Sequence, residues 1–314
     1  MAESDGWPDL SQLDLPPVAE ALHLWCQIAG KVRLSLTPWT NHSWHVPLYV
    51  SVRGLTTGLI PAGPRAFEME FDLIDDRLVI RDTNAQERRV ALAPQSVARF
   101  YADTMAALSE LGIQVQIDPM PCELPQATPF HTDTAVRAYD GQTARAYWRA
   151  LVQTQRVFHI FRTRFVGKCS PIHFFWGSFD LAVTRFSGRR APPHPGGAPH
   201  MPDAVARDAY SQEVSSAGFW PGSGTVTAPS YYSYAYPAPN GFAQARVQPR
   251  AARFNVELGE FLMPYEAVRA SADPDVTLLA FLQSTYEAAA NLAHWDRQFL
   301  EGPTGPIGYP PAGT

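Results

Sequence analysis

The fold class is indicated by residues 66–92, AFEMEFDLIDDRLVIRDTNAQERRVAL. Two runs, AFEMEFDLI and DRLVIRD, meet at Asp75 and Asp76 in the pattern of an antiparallel hairpin, and a third run, ERRVAL, follows the turn-like TNAQ. Strand-like runs cluster again after residue 170. We therefore expect an α+β fold in which antiparallel strands predominate and long helices flank the sheets.

Apolar residues at helical spacing predict the long helices of this fold. The patterns cover residues 16–30, 94–112, 141–165 and 274–300, and Asp140 is a suitable N-cap for the third. We expect Pro94 to begin the second helix and Gly30 to end the first, because these residue types are typical of helix termini.

Alternating apolar residues predict strands outside the hairpin. In the first half of the chain they lie at 31–36, 44–52 and 113–117. The second of these would place His45 opposite the aliphatic side chains of its strand. In the second half, strand-like runs cover residues 169–188, with an interruption at Gly177, and then 210–222, 230–237 and 253–266.

The order of these elements suggests two similarly arranged halves. We expect a flexible tail at 1–15, an α+β half at 16–118, a proline-rich link at 119–139, a second α+β half at 140–301 packed on the first, and a flexible tail at 302–314. Each half would run from a helix through a histidine-bearing first strand and further strands to another helix. An ancient duplication would explain this order, but the order is also common in α+β folds.

Composition excludes several classes of protein. The 46% hydrophobic content is enough for a large core, and the net charge of −5 without a long basic tract predicts no nucleic-acid partner. No apolar run approaches the ~20 residues of a membrane span. Cys26, Cys122 and Cys169 are odd in number and far apart, which predicts no disulfide framework. Together with an acidic N-terminus unlike a signal peptide, these features predict a cytoplasmic protein.

Five polar residues among aromatic strands are the candidate site residues: His45, His173, Asp180, Arg185 and Glu213. Imidazole and carboxylate groups from separate segments could act as base and acid, or could bind a divalent metal. The alternatives are structural: His173 would be a core histidine bonded to backbone, and Asp180 with Arg185 would form an ion pair. The Walker, dinucleotide-binding, HExxH and Gly-x-Ser-x-Gly signatures are absent, so no cofactor is indicated.

Strand alternation divides these candidates between two faces. Ser178, Asp180 and Thr184 would share one face of their strand, and Arg185 would lie on the other unless a bulge at Gly177 changes the register. The tyrosines of SYYSYAY, residues 230–236, would either pack or present a face to a flat organic ligand.

Three long motifs resemble a bacterial family catalogued only as a domain of unknown function. They are TPWTNHSWHVPLYVSVRGLTTGLIP at 37–61, GKCSPIHFFWGSFDLAVTRFSGRRAPPHPGG at 167–197 and YSQEVSSAGFWPG at 210–222. The resemblance extends over nearly the whole chain and implies no established reaction. That family often has histidine where this chain has Gln212, in a Ser-His-Glu-Val run. Because an amide oxygen is a poor ligand for zinc-like ions, we expect a metal-free polar site.

Two functions remain open from the sequence. The first is an enzyme or binding protein that holds a small organic molecule in a polar and aromatic pocket between the halves, in which His45 meets Glu213 or Asp180. The second is a non-catalytic interaction protein whose partners contact the loop RRAPPHPGGAPHMPD, residues 189–203, and the C-terminal tail. We expect that loop and that tail to be the most mobile segments. The sequence specifies neither the substrate nor the oligomeric state.

Overall fold

Two antiparallel sheets of six strands each carry the fold, and the predicted α+β class with mainly antiparallel strands is confirmed. The computed structural model describes residues 6–303 and residue 305. The first sheet has the order β1-β2-β4-β5-β6, with β3 paired to β4. Its strands are β1 (Tyr49–Val50), β2 (Gly54–Thr56), β3 (Ile60–Ala62), β4 (Arg65–Asp72), β5 (Arg77–Asp82) and β6 (Glu87–Ala91). The predicted hairpin is confirmed, because β4 and β5 pair from Phe67 opposite Asp82 to Asp72 opposite Arg77.

The second sheet has the order β13-β14-β12-β11-β10-β9. Its strands are β9 (His173–Phe175), β10 (Asp180–Arg190), β11 (Gln212–Trp220), β12 (Ser230–Tyr236), β13 (Arg253–Asn255) and β14 (Glu260–Pro264). A two-stranded ladder joins β7 (Gln95–Ser96) to β8 (Val136–Arg137). The predicted interruption at Gly177 is a turn between β9 and β10.

Helices flank the sheets in the predicted order. They are α1 (Leu15–Leu36), α2 (Val97–Glu110), α3 (Gly141–Thr163), α4 (Asp203–Ala209), α5 (Tyr265–Arg269), α6 (Pro274–Leu292) and α7 (Arg297–Leu300). The chain thus runs from α1 through the first sheet to α2, and from α3 through the second sheet to α6. Backbone hydrogen bonds between Leu48 and Phe174, 2.8 and 2.9 Å long, link the segment before β1 to β9.

Residues 31–36 are helical, and the predicted strand there is wrong. Gly30 does not end α1; a Cβ at this position would lie 2.3 Å from the Trp176 indole, so the glycine lets Trp176 pack against the helix. The helix continues to Leu36 and ends before Pro38, whose ring disfavours helical backbone at Thr37.

Two further predicted strands are also different in the structure. Only Tyr49–Val50 of residues 44–52 are in a strand, because a 3₁₀ turn at Asn41–Ser43 redirects the chain just before them. Residues 113–117 bury Ile113 and Ile117 but pair with no other strand in the described part of the chain. Burial alone can therefore produce an alternating pattern without a ladder.

The helix boundaries also need correction. Helix α2 begins at Val97, not Pro94, because Ser96 Oγ caps it by accepting the Arg99 N–H at 3.2 Å. The predicted C-terminal helix divides into α6 and α7. Trp7 and Leu10 are buried, so the packed chain begins inside the expected N-terminal tail. Residues 1–5, 304 and 306–314 of the expected tails lie outside the described residues.

Candidate functional site

A cavity of about 720 Å³ lies against one face of the second sheet. Alternate residues of the central strands point into it, whereas their neighbours in sequence point toward α3 and α6. We call this space the sheet cavity. Its floor includes Asp180, Ala182, Thr184, Ser216, Tyr232 and Tyr234.

Several segments that are distant from one another in the sequence cover this floor. The last turns of α1 contribute Lys31, Leu34 and Ser35, which share one side of the helix because they are three and four residues apart. Further walls come from residues between 39 and 46, from residues 118, 122 and 123 of the link, and from the loop and helix between 200 and 210. The cavity is therefore a concave space between the second sheet and segments that are distant from it in the sequence.

The walls contain an unusual concentration of left-handed backbone. Positive φ angles occur at four non-glycine residues that line the cavity: His42 (60°), Ser43 (58°), Glu123 (62°) and His200 (54°). Phe179, with φ of 58°, precedes the cavity residue Asp180. Such conformations cost free energy for residues with a Cβ, and they often occur at binding sites.

Three of the carboxyl groups that line the sheet cavity, those of Glu123, Asp180 and Glu260, are near enough for the charge of Asp180 to act on both glutamates. Asp180 accepts a hydrogen bond from Ser178 Oγ at 2.6 Å and another from the Tyr232 hydroxyl. Burial raises the pKa of Asp180 above its ordinary value, although these bonds lower it. Burial and the nearby charge of Asp180 also raise the pKa of Glu123 to about 7 and that of Glu260 to about 7. Two glutamates thus titrate near neutral pH.

Two glycines make this arrangement possible. A Cβ at Gly177 would lie 2.0 Å from Glu123 Oε1, and a Cβ at Gly218 would lie 2.3 Å from the Tyr232 ring. Any larger residue at either position would displace a polar side chain of the cavity.

Tyrosines continue the polar surface away from Asp180. The Tyr232 and Tyr234 rings are stacked at 6.0 Å, and the Tyr234 hydroxyl is hydrogen-bonded to the Tyr210 hydroxyl at 2.8 Å. His194 stacks on Tyr210 at 4.6 Å from the loop side. The tyrosine cluster therefore both packs and presents polar groups to the cavity.

A second polar group lies near His42. His42 Nδ1 is 3.0 Å from the Ala209 carbonyl oxygen and donates to it, so Nε2 is left to accept from Lys168 Nζ at 2.5 Å. The ammonium group also lies 4.6 Å from the centre of the Phe186 ring. Burial lowers the pKa of both His42 and Lys168.

The family relationship covers this whole site. The sequence model of a family of unknown function, DUF5996, matches residues 7–302, which include every residue that lines the cavity. The chain belongs to the DUF5996 family. No curated protein and no solved structure shows significant similarity to it. The expected resemblance is confirmed, and the chemistry of this DUF5996 chain has to be argued from its own residues.

Among the five candidates, only Asp180 lines the sheet cavity of this DUF5996 chain. His173 lies on the same face of the sheet but behind Trp44, whose ring is 5.8 Å away in an edge-on arrangement. Its two ring nitrogens have no hydrogen-bond partner among the described residues, so the expected bond to backbone is not formed. His45 is buried, accepts the Thr40 N–H at 3.2 Å through Nδ1, and does not line the cavity.

Arg185 and Glu213 lie away from the cavity. The predicted division of faces is correct: Asp180 and Thr184 line the cavity, and Arg185 points to the core between α3 and α6, where its guanidinium lies 3.5 Å from the centre of the Phe161 ring. The alternative ion pair between Asp180 and Arg185 is not formed. Glu213 instead pairs with Arg189 at 2.7 Å.

The sequence prediction missed Glu123, Glu260 and Ser43. Glu123 belongs to the proline-rich link, which has no periodicity, and Glu260 begins a short strand; neither position carries a local signal. In the described part of the chain, no group of three or more His, Cys, Asp or Glu side chains is arranged to hold a metal ion. Among the described helices, none has the length and apolar character needed to cross a membrane.

Proposed function

We propose that the protein binds a small organic molecule in the sheet cavity. The observation that carries this proposal is a concave space of about 720 Å³ that is lined by aromatic side chains and a few polar groups. Ligand sites in proteins typically have this size and this mixture of apolar lining and placed polar atoms.

The proline-rich loop supports this function over the alternative interaction role. His200, Met201 and Pro202 line the cavity, and the Pro199 carbonyl accepts the Glu123 N–H at 2.7 Å. The loop thus forms part of the wall. A segment held in this way is a less suitable docking site than a free loop, although its mobility remains a prediction.

An acid–base reaction on the bound molecule is our second candidate function. Glu123 and Glu260, with pKa values of about 7, suit proton transfer at neutral pH. We also propose a cytoplasmic location, which agrees with three free cysteines.

Native mass spectrometry tests the binding proposal. Wild-type protein is exposed to a metabolite extract, washed and measured for a retained small molecule. We expect retention by wild type and loss in Ala182→Trp and Val205→Trp, which fill the cavity from its floor and its roof. Val136→Trp adds the same ring at an exposed site and should retain the molecule.

Thermal unfolding identifies the variants that have folded. Retention of the molecule by both folded cavity variants would contradict the proposal, and so would the absence of any retained molecule from wild type. Incorporation of deuterium at a carbon atom of the retained molecule during incubation in D2O, lost in Glu123→Gln, would support the acid–base reaction.

A further inference from the structure

The charges that line the sheet cavity are strongly unequal. Four carboxyl groups line it, from Asp118, Glu123, Asp180 and Glu260. The sequence has 25 lysine and arginine residues, yet Lys31 is the only one of them among the lining residues. Lys31 lies 3.5 Å from Asp118, which is largely exposed. The cavity therefore has an excess of negative charge away from that pair.

The three inner carboxyl groups lack a cationic partner. No lysine, arginine or histidine of the described residues forms an ion pair with Glu123, Asp180 or Glu260 within 4.0 Å. Removing a carboxylate from water without a counter-ion costs free energy. Such a group therefore either binds a proton or pairs with a cation. Among the described residues, side-chain hydroxyl groups donate hydrogen bonds to Asp180 but not to Glu123 or Glu260.

Other polar atoms of the cavity residues are also unpaired. Ser43 is 8% exposed, and its Oγ has no hydrogen-bond partner among the described residues. The indole N–H of Trp220 is buried without a partner in the same part of the chain. Both residues line the cavity. Buried polar atoms are normally satisfied, and a bound molecule would satisfy them here.

The aromatic walls suit a positive charge. Trp44, Phe175, Trp176, Trp220, Tyr232 and Tyr234 line the space. The faces of aromatic rings attract ammonium groups, most strongly where water is excluded. The protein already uses two rings of the lining in this way, because Lys168 Nζ lies 4.6 Å from the Phe186 ring centre and 5.4 Å from the Trp44 ring centre.

From these observations we infer that the ligand of the sheet cavity is an organic cation, a protonated amine on an apolar or aromatic body. Its ammonium group would lie among Glu123, Asp180 and Glu260, and its apolar body would contact the aromatic walls. This inference rests on the proposed function, since it specifies the molecule that the cavity binds. A neutral molecule would leave the carboxyl groups without a counter-charge, and an anion would be repelled by them.

The inference also predicts the pH dependence of binding. Glu123 and Glu260 have pKa values of about 7, so below pH 7 a cation must displace protons to bind. Affinity for an amine should therefore rise as the pH increases from 6 to 8. The other titratable groups that line this space are Lys31, His42, Asp118, Cys122, His200, Tyr210, Tyr232 and Tyr234, and His23 lies nearby against the Gly177 carbonyl.

Most of these other groups do not change charge between pH 6 and 8. Burial raises the pKa of Cys122 to about 12 and raises those of the three tyrosines above their ordinary values. Burial lowers the pKa of His23 to about 4 and lowers that of His42. The expected pH dependence is therefore assigned to Glu123 and Glu260, whose pKa values are about 7.

Calorimetric titration with three matched probes tests the inference. The probes are 2-(2-naphthyl)ethylammonium, the neutral 2-(2-naphthyl)ethanol and the anionic 2-naphthylacetate. At pH 8 we expect the ammonium probe to bind about tenfold more tightly than the alcohol, because ionised hydrogen bonds are the stronger ones, and naphthylacetate to bind most weakly. Glu123→Gln and Glu260→Gln should each reduce this preference and leave the affinity for the alcohol unchanged.

The control variant is Glu213→Gln, which removes a carboxylate that does not line the cavity. It should keep the full preference for the ammonium probe. Equal affinities for the alcohol and the ammonium, or a preference for naphthylacetate, would overturn the inference while leaving small-molecule binding in place. Failure of all three probes to bind would also overturn it. The proposed function would then be tested separately, by whether wild-type protein retains a small molecule from the metabolite extract.

Discussion

The two faces of the second sheet bury charged residues in opposite ways. On the core face, Arg185 is fully buried among aromatic rings between α3 and α6. On the cavity face, Asp180 is held by Ser178 and Tyr232 beside two further carboxyl groups. Both residues belong to β10. The difference teaches that a buried charge indicates a site only where space for a ligand adjoins it.

Ring faces and one backbone oxygen accommodate Arg185. The guanidinium carbon lies 3.5 Å from the Phe161 ring centre and 4.3 Å from that of Tyr286, and Nη2 donates to the Phe161 carbonyl. Burial lowers the pKa of Arg185 to about 10, so it stays charged at neutral pH. Its Nε and Nη1 have no partner in the described part of the chain. We therefore regard its role as structural.

Arg185→Ala should have the largest effect on stability. Removing this side chain leaves a void between α3 and α6, and we expect a loss of ~3 to 5 kcal/mol in the free energy of unfolding, measured with urea. Arg185→Met fills most of the space without a buried charge and should be within ~1 kcal/mol of wild type. Loss of ligand binding in a stable Arg185→Met variant would show that the core face also serves the site.

His173 should have the next largest effect on stability, and this effect should depend on pH. Burial lowers the pKa of His173 to about 3 in the folded state. The unfolded chain, with an ordinary pKa near 6.5, binds the proton first on acidification, so stability is lost as the pH falls below about 6.5. Between pH 7 and pH 5 this group should remove about 2 kcal/mol. Glu123 and Glu260 work in the opposite direction, because their pKa values are raised.

Comparison with His173→Phe isolates this contribution. The variant should lose about 2 kcal/mol less than wild type between pH 7 and pH 5 in urea unfolding, since phenylalanine carries no proton. His131→Gln changes an exposed histidine and should behave like wild type. Equal acid sensitivity of His173→Phe and wild type would mean that His173 finds a proton acceptor in the folded protein.

Glu213→Gln should have the smallest effect on the free energy of unfolding. Its ion pair with Arg189 lies at the surface, where the arginine side chain is 47% exposed. Pairs of this kind contribute little, and we expect a change of less than ~0.5 kcal/mol in urea unfolding. A loss above ~1 kcal/mol would show that the edge of β11 depends on this pair.

Local patterns predicted the parts of the fold that depend on local interactions. The hairpin of β4 and β5 follows from turn residues between alternating runs, and the opposite placement of Asp180 and Arg185 follows from the period of a strand. The helix at 31–36 could not be predicted in this way, because six residues fit both periods and the role of Gly30 depends on Trp176 from a distant segment.

The composition of the site was less predictable for the same reason. Asp180 was recognisable as a polar residue in an aromatic strand. Glu123 and Glu260 approach it only through tertiary packing, one from the link and one from β14. His45 was assigned to the pocket by strand alternation, and that argument fails because a 3₁₀ turn precedes it.

The residues with positive φ in the cavity wall contribute to the shape of the cavity, and their strained backbone reduces the stability of the fold. His42, Ser43, Glu123 and His200 each hold a backbone conformation that glycine adopts at lower cost. Glycine at these four positions would relieve the backbone strain, but it would also remove side chains that line the cavity. The shape of the cavity therefore depends on strained backbone, and a variant with four glycines would have a more open and less selective interior.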